Sequence, residues 1–448
     1  MSSPVSDVRR SALDQPERPF RVLLTTFGSF GDLHPYIAVA LELKRRGHEP
    51  VLATYEFYRE KIAQLGIAFR PLRPDAPTEP AEIIEFVNRV MDLRKGPEFV
   101  FKQMFMPYLR ESYEDTLAAA EGADVLVGHP LTFTTGMAAA KLGRPWVSSV
   151  LAPLSFFSAH DPPVLPAAPF LAQLRRFGPR FYRPLNRLLK WSIRSWGDPW
   201  HLFRQELGLP PAAHPGFEGQ HSPEMVLAMF SGQLGSPQPD WPSRAHVTGF
   251  AFYDHDGPND LAPEIESFLA NGPAPIVFTL GSSAVLNPAQ FFDVSVHAAR
   301  RLGRRAILLV GRDGHERVPI ASTAEIGVFE YAPYSELFPR AAAVVHQGGA
   351  GTTGQAMRAG RPMLVVPFAH DQPDNADRVC RLGIARTVTL SRYRTDRVVQ
   401  ELKQLLEPRY AERAIEVARL VNAERGAAGA AELLVQLCRA RSQPHGER

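Results

Sequence analysis

The segment 341–367 contains the residues of an anion-binding loop. A short apolar strand reaches His346, and the small and hydroxyl residues that follow it are Gly348, Gly349, Gly351, Thr352 and Thr353. Small residues let backbone N–H groups approach an anion, hydroxyls add donors, and a helix start adds positive partial charge. The combination suits a diphosphate and matches neither the usual NAD fingerprint nor the ATP P-loop. A glycine-rich turn in which the histidine caps the strand is the alternative.

A second polar cluster follows the next apolar strand. Asp371, Gln372 and Asn375 come directly after it, at the edge of a sheet where α/β proteins bind ligands. Asp371 and Gln372 offer acceptors and donors for adjacent sugar hydroxyls, although alone they could cap a helix. Together with the anion-binding loop, the cluster predicts a nucleotide-sugar site.

Two similar stretches of chain must position these residues. FRVLLTT at 20–26 leads into a loop and a helix, and PIVFTL near residue 275 begins the same succession. A Gly-Ser pair follows each strand, at Gly28-Ser29 and Gly281-Ser282. Two βαβ starts in a chain of 448 residues predict two doubly wound, Rossmann-like α/β domains.

Domain boundaries follow from local composition. A stretch rich in Pro, Gly and Asp separates the two βαβ patterns and indicates a linker, and the end of the chain has helical spacing. The predicted division is a disordered tail at 1–18, an N-terminal domain at 19–232, a linker at 233–264, a C-terminal domain at 265–408 and closing helices at 409–441.

Charge and cysteine content exclude several classes of protein. The net charge of +3 is too small for a general nucleic-acid-binding surface. The two cysteines, Cys380 and Cys438, have no metal-ligand or CxxC spacing, which argues against a disulfide framework or a zinc site. The polar N-terminus lacks a signal-peptide core, and no run approaches the ~18 apolar residues of a membrane span. We therefore expect a cytoplasmic protein.

These motifs carry a family resemblance. The segment 331–375 resembles the donor-binding signature of GT-B-fold glycosyltransferases of the UDP-glycosyltransferase and family 28 type, and 27–49 resembles their N-terminal opening. The resemblance covers nearly the whole chain and is greatest for bacterial rhamnolipid-type rhamnosyltransferases and for macrolide and sterol enzymes. It implies two domains facing across a cleft, with the closing helices packed back on the N-terminal domain. The implied reaction is an inverting transfer of rhamnose or glucose from a dTDP- or UDP-sugar to a hydrophobic acceptor.

The resemblance also implies roles for individual residues. Tyr331 falls where relatives stack an aromatic ring on the base, and Asp371 and Gln372 fall where they hold the sugar. Plant members carry Trp and Gln at the positions of Tyr331 and Tyr334, and a ribose-binding Glu at that of Gln355. The implied donor-binding residues are Gly281, Ser282, Tyr331, His346, Gly348, Gly349, Gly351, Thr352, Thr353, Asp371 and Gln372.

Asp32 is the candidate general base. Many relatives have a catalytic histidine at this position, whereas sterol and glycopeptide types have aspartate. A carboxylate between strand and helix could take the proton of an acceptor hydroxyl, although Asp32 could also cap the helix. Relatives with a catalytic histidine orient it with an aspartate on a neighbouring strand exit, near which this chain places His129. A reversed pair of Asp32 and His129 and a structural histidine are both open.

Asp254-His255-Asp256 has the DxD spacing with which some sugar transferases hold a divalent metal ion. Because this stretch lies in the predicted linker with no strand before it, we expect metal-independent transfer without a cofactor. Backbone amides, hydroxyls, His346 and the helix dipole would then neutralise the phosphates.

The segment 162–197 contains no acidic residue, and within 175–194 basic residues alternate with aromatic ones. Such a stretch can dock on an anionic membrane, which would place the protein on its inner face. A solvated helix face whose aromatic rings pack inward is the alternative.

Two other functions share this architecture. A nucleotide-sugar 2-epimerase would bind a similar diphosphate but needs no apolar acceptor pocket. A non-catalytic partner protein would keep the fold without turnover, although the presence of Asp32, His346, Asp371 and Gln372 argues against it.

Overall fold

The computed structural model describes residues 18–77, 79–254, 261–281, 288–311, 314 and 318–442. Ser282, His255 and Asp256 lie outside these residues, as does nearly all of the 1–18 tail. The described chain forms two parallel sheets, of seven and six strands, whose strands are connected through helices. The two sheets confirm the predicted α/β class with two doubly wound domains.

The first sheet has the spatial order β3-β2-β1-β4-β5-β6-β7. Its strands are β1 (Arg21–Thr25), β2 (Glu49–Thr54), β3 (Ala68–Pro71), β4 (Val125–Gly128), β5 (Trp146–Val150), β6 (Val226–Ala228) and β7 (Ala245–Val247). Leu23 pairs with Val51 on one side and with Leu126 on the other. The strand order reverses at β1, so the ends of β1 and β4 form a switch point of the kind that binds ligands in α/β proteins. Strand β7 comes from the segment 233–264.

The helices of this half follow the strands in chain order. They are α1 (Phe30–Arg45), α2 (Arg59–Gln64), α3 (Pro80–Val90), α4 (Gly96–Glu98), α5 (Leu109–Ala119), α6 (Thr135–Leu142), α7 (Gly178–Ser192) and α8 (Asp198–Glu206). Strands β1 and β4 are almost fully buried because parallel sheets are covered on both faces, which explains their continuous apolar sequences.

The second sheet has the order β10-β9-β8-β11-β12-β13. Its strands are β8 (Ile276–Thr279), β9 (Ala306–Leu309), β10 (Ile326–Phe329), β11 (Ala343–His346), β12 (Met363–Val365) and β13 (Ala385–Thr387). The helices are α9 (Pro263–Ala270), α10 (Pro288–Arg301), α11 (Tyr334–Leu337), α12 (Ala350–Arg358), α13 (Gln372–Arg381), α14 (Thr395–Leu405), α15 (Pro408–Asn422) and α16 (Gly426–Ser442). Here the order reverses at β8, so the loops after β8, β11 and β12 lie side by side.

The last helix returns to the first sheet. Helix α15 packs on α12, whereas α16 packs on α1 and buries Ala430 and Leu434 in the core of the first half. The guanidinium of Arg46 donates to the carbonyl of Ala428 at 3.1 Å. The chain therefore crosses between the halves a second time, close to its end.

A buried ion network also joins the halves. Arg378 on α13 is 3% exposed, and its Nε donates to Asp374 at 2.7 Å. The same guanidinium pairs with Asp161 from the long insertion after β5. Asp374 also accepts the backbone N–H of Val164 at 2.9 Å. Because each buried charge is paired and hydrogen-bonded, the network holds the insertion on the second half at limited desolvation cost.

Candidate functional site

Asp32 lies in the first turn of α1, which begins where the loop after β1 ends. Its Oδ2 accepts the backbone N–H of Ser29 at 2.8 Å and the Ser29 hydroxyl at 3.1 Å. The Ser29 hydroxyl in turn accepts the N–H of Gly31 at 3.2 Å, which completes a capping box. The carboxylate is therefore held through one oxygen while the side chain stays one-third exposed.

Gly28 makes room for this carboxylate. Its φ is +124°, and a Cβ at this position would lie 2.2 Å from Oδ2 of Asp32. The carbonyl of Gly28 accepts the hydroxyl of Tyr58 at 3.0 Å. The loop is thus shaped by a residue without a side chain and anchored by an aromatic ring from the next βα connection.

His129 directly follows β4 and faces Asp32. Its Nδ1 accepts the backbone N–H of Leu131 at 3.2 Å, so the neutral ring carries its hydrogen on Nε2. Nε2 lies 3.6 Å from Oδ1 of Asp32, the oxygen that the cap does not use. The imidazole is buried and the carboxylate is partly open, so of the two it is Asp32 that a substrate can reach.

A short run of aromatic rings begins in the same helical turn as Asp32. Phe30 and Phe57 are 39% and 75% exposed, and their ring centroids lie 5.4 and 5.2 Å from that of Tyr58. Exposed aromatic rings near a carboxylate form a surface suited to an apolar molecule.

The glycine-rich loop after β11 opens helix α12. His346 is fully buried, its Nδ1 accepts the N–H of Gly348 at 3.0 Å, and its Nε2 lies 3.4 Å from Sδ of Met363. Burial lowers the pKa of His346 to about 3. A neutral, enclosed imidazole supplies no charge to a phosphate, so in this structure His346 shapes the loop rather than neutralising an anion.

Unpaired polar atoms line the same loop. Oε1 of Gln347, Oγ1 of Thr353 and Oδ1 of Asn375 are buried and have no hydrogen-bond partner among the described residues. The amide of Gln347 lies against Gly281 and Gly349, where added Cβ atoms would be 2.7 and 3.2 Å from Nε2. Sequence reasoning missed Gln347, since only packing shows that its side chain lies between the two loops. Buried unpaired atoms here are what a ligand-free polar site would contain.

Asp371 and Gln372 begin helix α13 beside this loop. Asn375 donates to Oδ2 of Asp371 at 2.7 Å and to the carbonyl of Gly348 at 3.0 Å, which ties the helix to the loop. The Oε1 of Gln372 accepts the N–H groups of Phe368 and Ala369 at 2.8 and 3.1 Å. The oxygen of Gln372 is therefore engaged internally, and its amide nitrogen is the group that could meet a sugar hydroxyl.

The two halves meet electrostatically at Asp371. Desolvation raises the pKa of Asp371 to about 7, and the charge of Asp32 contributes to the rise. His370 has a left-handed φ of +56°, and its imidazole donates a hydrogen bond to the carbonyl of Val90. Burial lowers the pKa of His370, and the charge of Asp32 opposes that change. The charge of Asp32 in the first half thus acts on the protonation of Asp371 in the second.

Tyr331 and Tyr334 follow β10. Tyr331 is 60% exposed, and an exposed aromatic ring can stack on a planar group. Tyr334 is instead partly buried, stacks on Phe338 at 4.4 Å and shares a hydrogen bond with Thr279 at 2.9 Å. Tyr334 therefore supports the wall behind the loops.

Of the candidate metal-binding residues Asp254, His255 and Asp256, the structure describes Asp254. Its carboxylate forms an ion pair with Arg358 at 2.5 Å. Within the described ranges, no group of three or more His, Cys, Asp or Glu side chains could hold a metal ion.

The two halves match two family models. Residues 22–123 match the glycosyltransferase family 28 N-terminal domain, and residues 310–437 match the erythromycin biosynthesis protein CIII-like C-terminal domain. The first match covers most of β1 together with β2, β3 and the loop that carries Asp32, and the second covers β10–β13 with the glycine-rich loop and the start of α13.

Full-length relatives show the same similarity. The chain is 34% identical to O-mycaminosyltylonolide 6-deoxyallosyltransferase of Streptomyces fradiae, over 95% of this chain and 99% of the relative. It is 32% identical to glycosyltransferase GtfE of Amycolatopsis orientalis, over 92% and 97% of the two chains. Among solved structures, glycosyltransferase VinC in complex with dTDP has a TM-score of 0.65 at 19% identity, over 94% and 100%.

Proposed function

This chain belongs to the family 28 and UDP-glycosyltransferase-type glycosyltransferases with the GT-B fold, and from that membership we propose its reaction. It transfers rhamnose or glucose from a dTDP- or UDP-sugar to a hydroxyl of a hydrophobic acceptor, with inversion at the anomeric carbon. The observation that carries the proposal is the geometry of Asp32, whose Oδ2 accepts the N–H of Ser29 while its Oδ1 lies 3.6 Å from Nε2 of His129.

Asp32 acts as the general base in this proposal. Its free Oδ1 takes the proton of the acceptor hydroxyl while the hydroxyl oxygen attacks C1 of the sugar from the face opposite the diphosphate. The C1–O bond to the diphosphate breaks in the same step, and the bonding pair leaves with the phosphate. His129 assists in this proposal by presenting its Nε2–H toward Oδ1, at a distance of 3.6 Å. One displacement gives one inversion.

The C-terminal domain binds the donor. The diphosphate lies at the start of α12, where backbone N–H groups of the glycine loop and the hydroxyls of Thr352 and Thr353 receive its charge. Tyr331 stacks on the base, and Asp371 with the Gln372 amide holds the sugar. VinC, the structural neighbour, was solved with dTDP, which supports a thymidine or uridine diphosphate as the leaving group.

The N-terminal domain binds the acceptor. The exposed rings of Phe30 and Phe57 beside Asp32 favour an apolar molecule over a free sugar. Macrolide and sterol transferases among the relatives support a lipid, sterol or polyketide-like aglycone. The relatives speak for transfer rather than for a 2-epimerase or a non-catalytic partner.

A mass-spectrometric screen tests the proposal. dTDP-rhamnose, dTDP-glucose and UDP-glucose are each incubated with a pool of hydroxy fatty acids, sterols and macrolide aglycones, with and without EDTA. We expect glycoside with inverted configuration, unchanged by EDTA and lost with Asp32→Asn. Interconversion of two nucleotide sugars without any acceptor would instead identify an epimerase, and equal glycoside from Asp32→Asn would remove Asp32 as the base.

A further inference from the structure

Helix α7 is poorly integrated into the fold. Of its fifteen residues only Tyr182 and Asn186 are buried. The Tyr182 hydroxyl donates to the carbonyl of Leu171, and the Asn186 amide donates to the carbonyl of Phe157 at 3.0 Å. None of the apolar cores includes a residue of α7. The helix is attached along one edge and leaves its other faces in solvent.

Large apolar side chains lie on one of these free faces. Phe177, Phe181, Leu188 and Trp191 are 53%, 38%, 59% and 59% exposed. Separations of seven and three residues place Phe181, Leu188 and Trp191 on one face of the helix, and the ring of Phe177, just before the helix, lies 5.7 Å from that of Phe181. We call the four side chains the apolar stripe. The inward packing of aromatic rings expected of a solvated helix face is therefore found for Tyr182 but not for Phe177, Phe181 and Trp191.

Five exposed arginines accompany the apolar stripe. Arg180, Arg183 and Arg187 recur on α7 at separations of three and four residues, and Arg176 and Arg194 flank its two ends; we call the five the arginine stripe. No carboxylate among the described residues forms an ion pair with any of them, whereas neighbouring Arg175 and Lys190 are paired with Asp377 and Glu218. Arg194 instead lies 4.3 Å above the Trp191 ring. Arg183 lies 3.2 Å from Nε2 of His160, a neighbour without negative charge. A row of cations without carboxylate partners beside exposed rings suits an anionic, partly apolar partner.

A cavity of about 530 Å³ extends this positive surface. Arg183, Arg187 and Lys190 form one side and Arg244 the other, above the stacked rings of Phe156 and Trp241 at 4.0 Å. Its two carboxylates are engaged, Glu218 with Lys190 and Asp240 with Ser158 and Ala159. The cavity therefore presents net positive charge to the same side of the molecule.

We propose that α7 docks this protein on the surface of an anionic lipid bilayer. The apolar stripe enters the boundary between headgroups and acyl chains, and the arginine stripe lies over lipid phosphates. A second copy of the chain is a poorer partner, because the two-fold contact would bring two unpaired arginine stripes together. The docking is independent of the proposed sugar transfer, although it would bring the acceptor site of the enzyme near lipid-dissolved acceptors.

Vesicle sedimentation with the full chain tests the docking. We expect binding to phosphatidylcholine vesicles that contain one-quarter phosphatidylglycerol, weakened by salt, and little binding to phosphatidylcholine alone. The double variant Leu188→Ser/Trp191→Ser should bind the anionic vesicles at least about tenfold more weakly. The affinity of Arg180→Gln/Arg187→Gln for the same vesicles should fall by about 10- to 30-fold.

Matched controls separate docking from general charge and hydropathy. Leu420→Ser removes an equally exposed leucine from α15, and Arg304→Gln/Arg419→Gln removes the same charge from the other half. Both controls should bind as the unchanged protein does, and circular dichroism should show that every variant is folded. Equal binding by stripe and control variants would overturn the proposal. The proposal would also be overturned if the unchanged protein self-associated but did not bind vesicles, and the stripe variants lost that self-association. A second copy of the chain would then be the partner.

Discussion

The Nε2 atom of His129 lies 3.6 Å from Oδ1 of Asp32, while the other oxygen of that carboxylate caps helix α1. The two oxygens thus have separate tasks. Oδ2 fixes the side chain through Ser29, and Oδ1 is left toward the cleft beside an N–H donor. Capping and base catalysis, which compete as explanations of Asp32 in the sequence, are compatible in the structure.

Asp32→Asn should lower kcat by about 10²- to 10⁴-fold, since the amide cannot take a proton. Its oxygen can still accept the Ser29 N–H, so the melting temperature should change little. Ser29→Ala is the matched control: it removes the capping hydroxyl and should cost about 1 kcal/mol of stability while most activity remains. Steady-state kinetics and thermal unfolding of both variants check this, and the reverse pattern would assign Asp32 to the cap alone.

Gly28→Ala should abolish most activity. The added methyl would overlap Oδ2 of Asp32, at 2.2 Å, and displace the carboxylate. Gly47 also has a positive φ, of +82°, but has no atom within 4 Å of the added Cβ. Gly47→Ala should therefore lose only about 1–2 kcal/mol of stability, with normal kinetics. The comparison fails if both variants lose stability and activity equally.

His346→Leu should weaken donor binding. Leucine leaves the N–H of Gly348 without its acceptor, which should cost about 1–3 kcal/mol and loosen the loop. KM for the nucleotide sugar should rise while KM for the acceptor stays constant. His346→Asn, whose side-chain oxygen can accept the same N–H, should recover part of the loss. An unchanged donor KM in the leucine variant would show that the loop does not need this bond.

The free energy of unfolding should depend on pH because of Asp371. Because its folded pKa is about 7 and its unfolded pKa is near 4, the folded state binds the extra proton between these values. Its contribution to stability is therefore present at pH 4, falls as pH rises toward 7, and is constant above that. Urea unfolding at pH 5, 6, 7 and 8 should show this slope in the unchanged protein but not in Asp371→Asn. Asp396→Asn, whose carboxylate is 87% exposed, should keep the slope.

Local sequence patterns predicted the two sheets and the loops that carry the site. Apolar runs such as FRVLLTT and PIVFTL, and the glycines at 348–351, determine the local backbone conformation. The secondary structure that they form therefore depends little on the rest of the chain. The family resemblance was confirmed by relatives that cover nearly the whole chain. The site residues remain predictions, because the comparisons do not assign individual roles.

The chemical state of those residues depended on tertiary packing. His346 is neutral because the second half encloses it. The side-chain oxygen of Gln372 accepts backbone N–H groups of the loop that precedes its own helix. Gln347 enters the site only because the loops after β8 and β11 are neighbours in the sheet. The residue types in these motifs cannot reveal burial or which partner a polar atom has chosen.

The sequence by itself determined the α/β class, the paired βαβ halves and the family, since these follow from periodicity and short motifs. Only the tertiary structure decided that Asp32 lies beside His129 and that its charge acts on Asp371, and that α7 turns Phe181 and Trp191 outward while it buries Tyr182. The physical reason is separation along the chain: Asp32 and Asp371 interact across two domains, and their distance depends on how the halves pack, which no local pattern encodes.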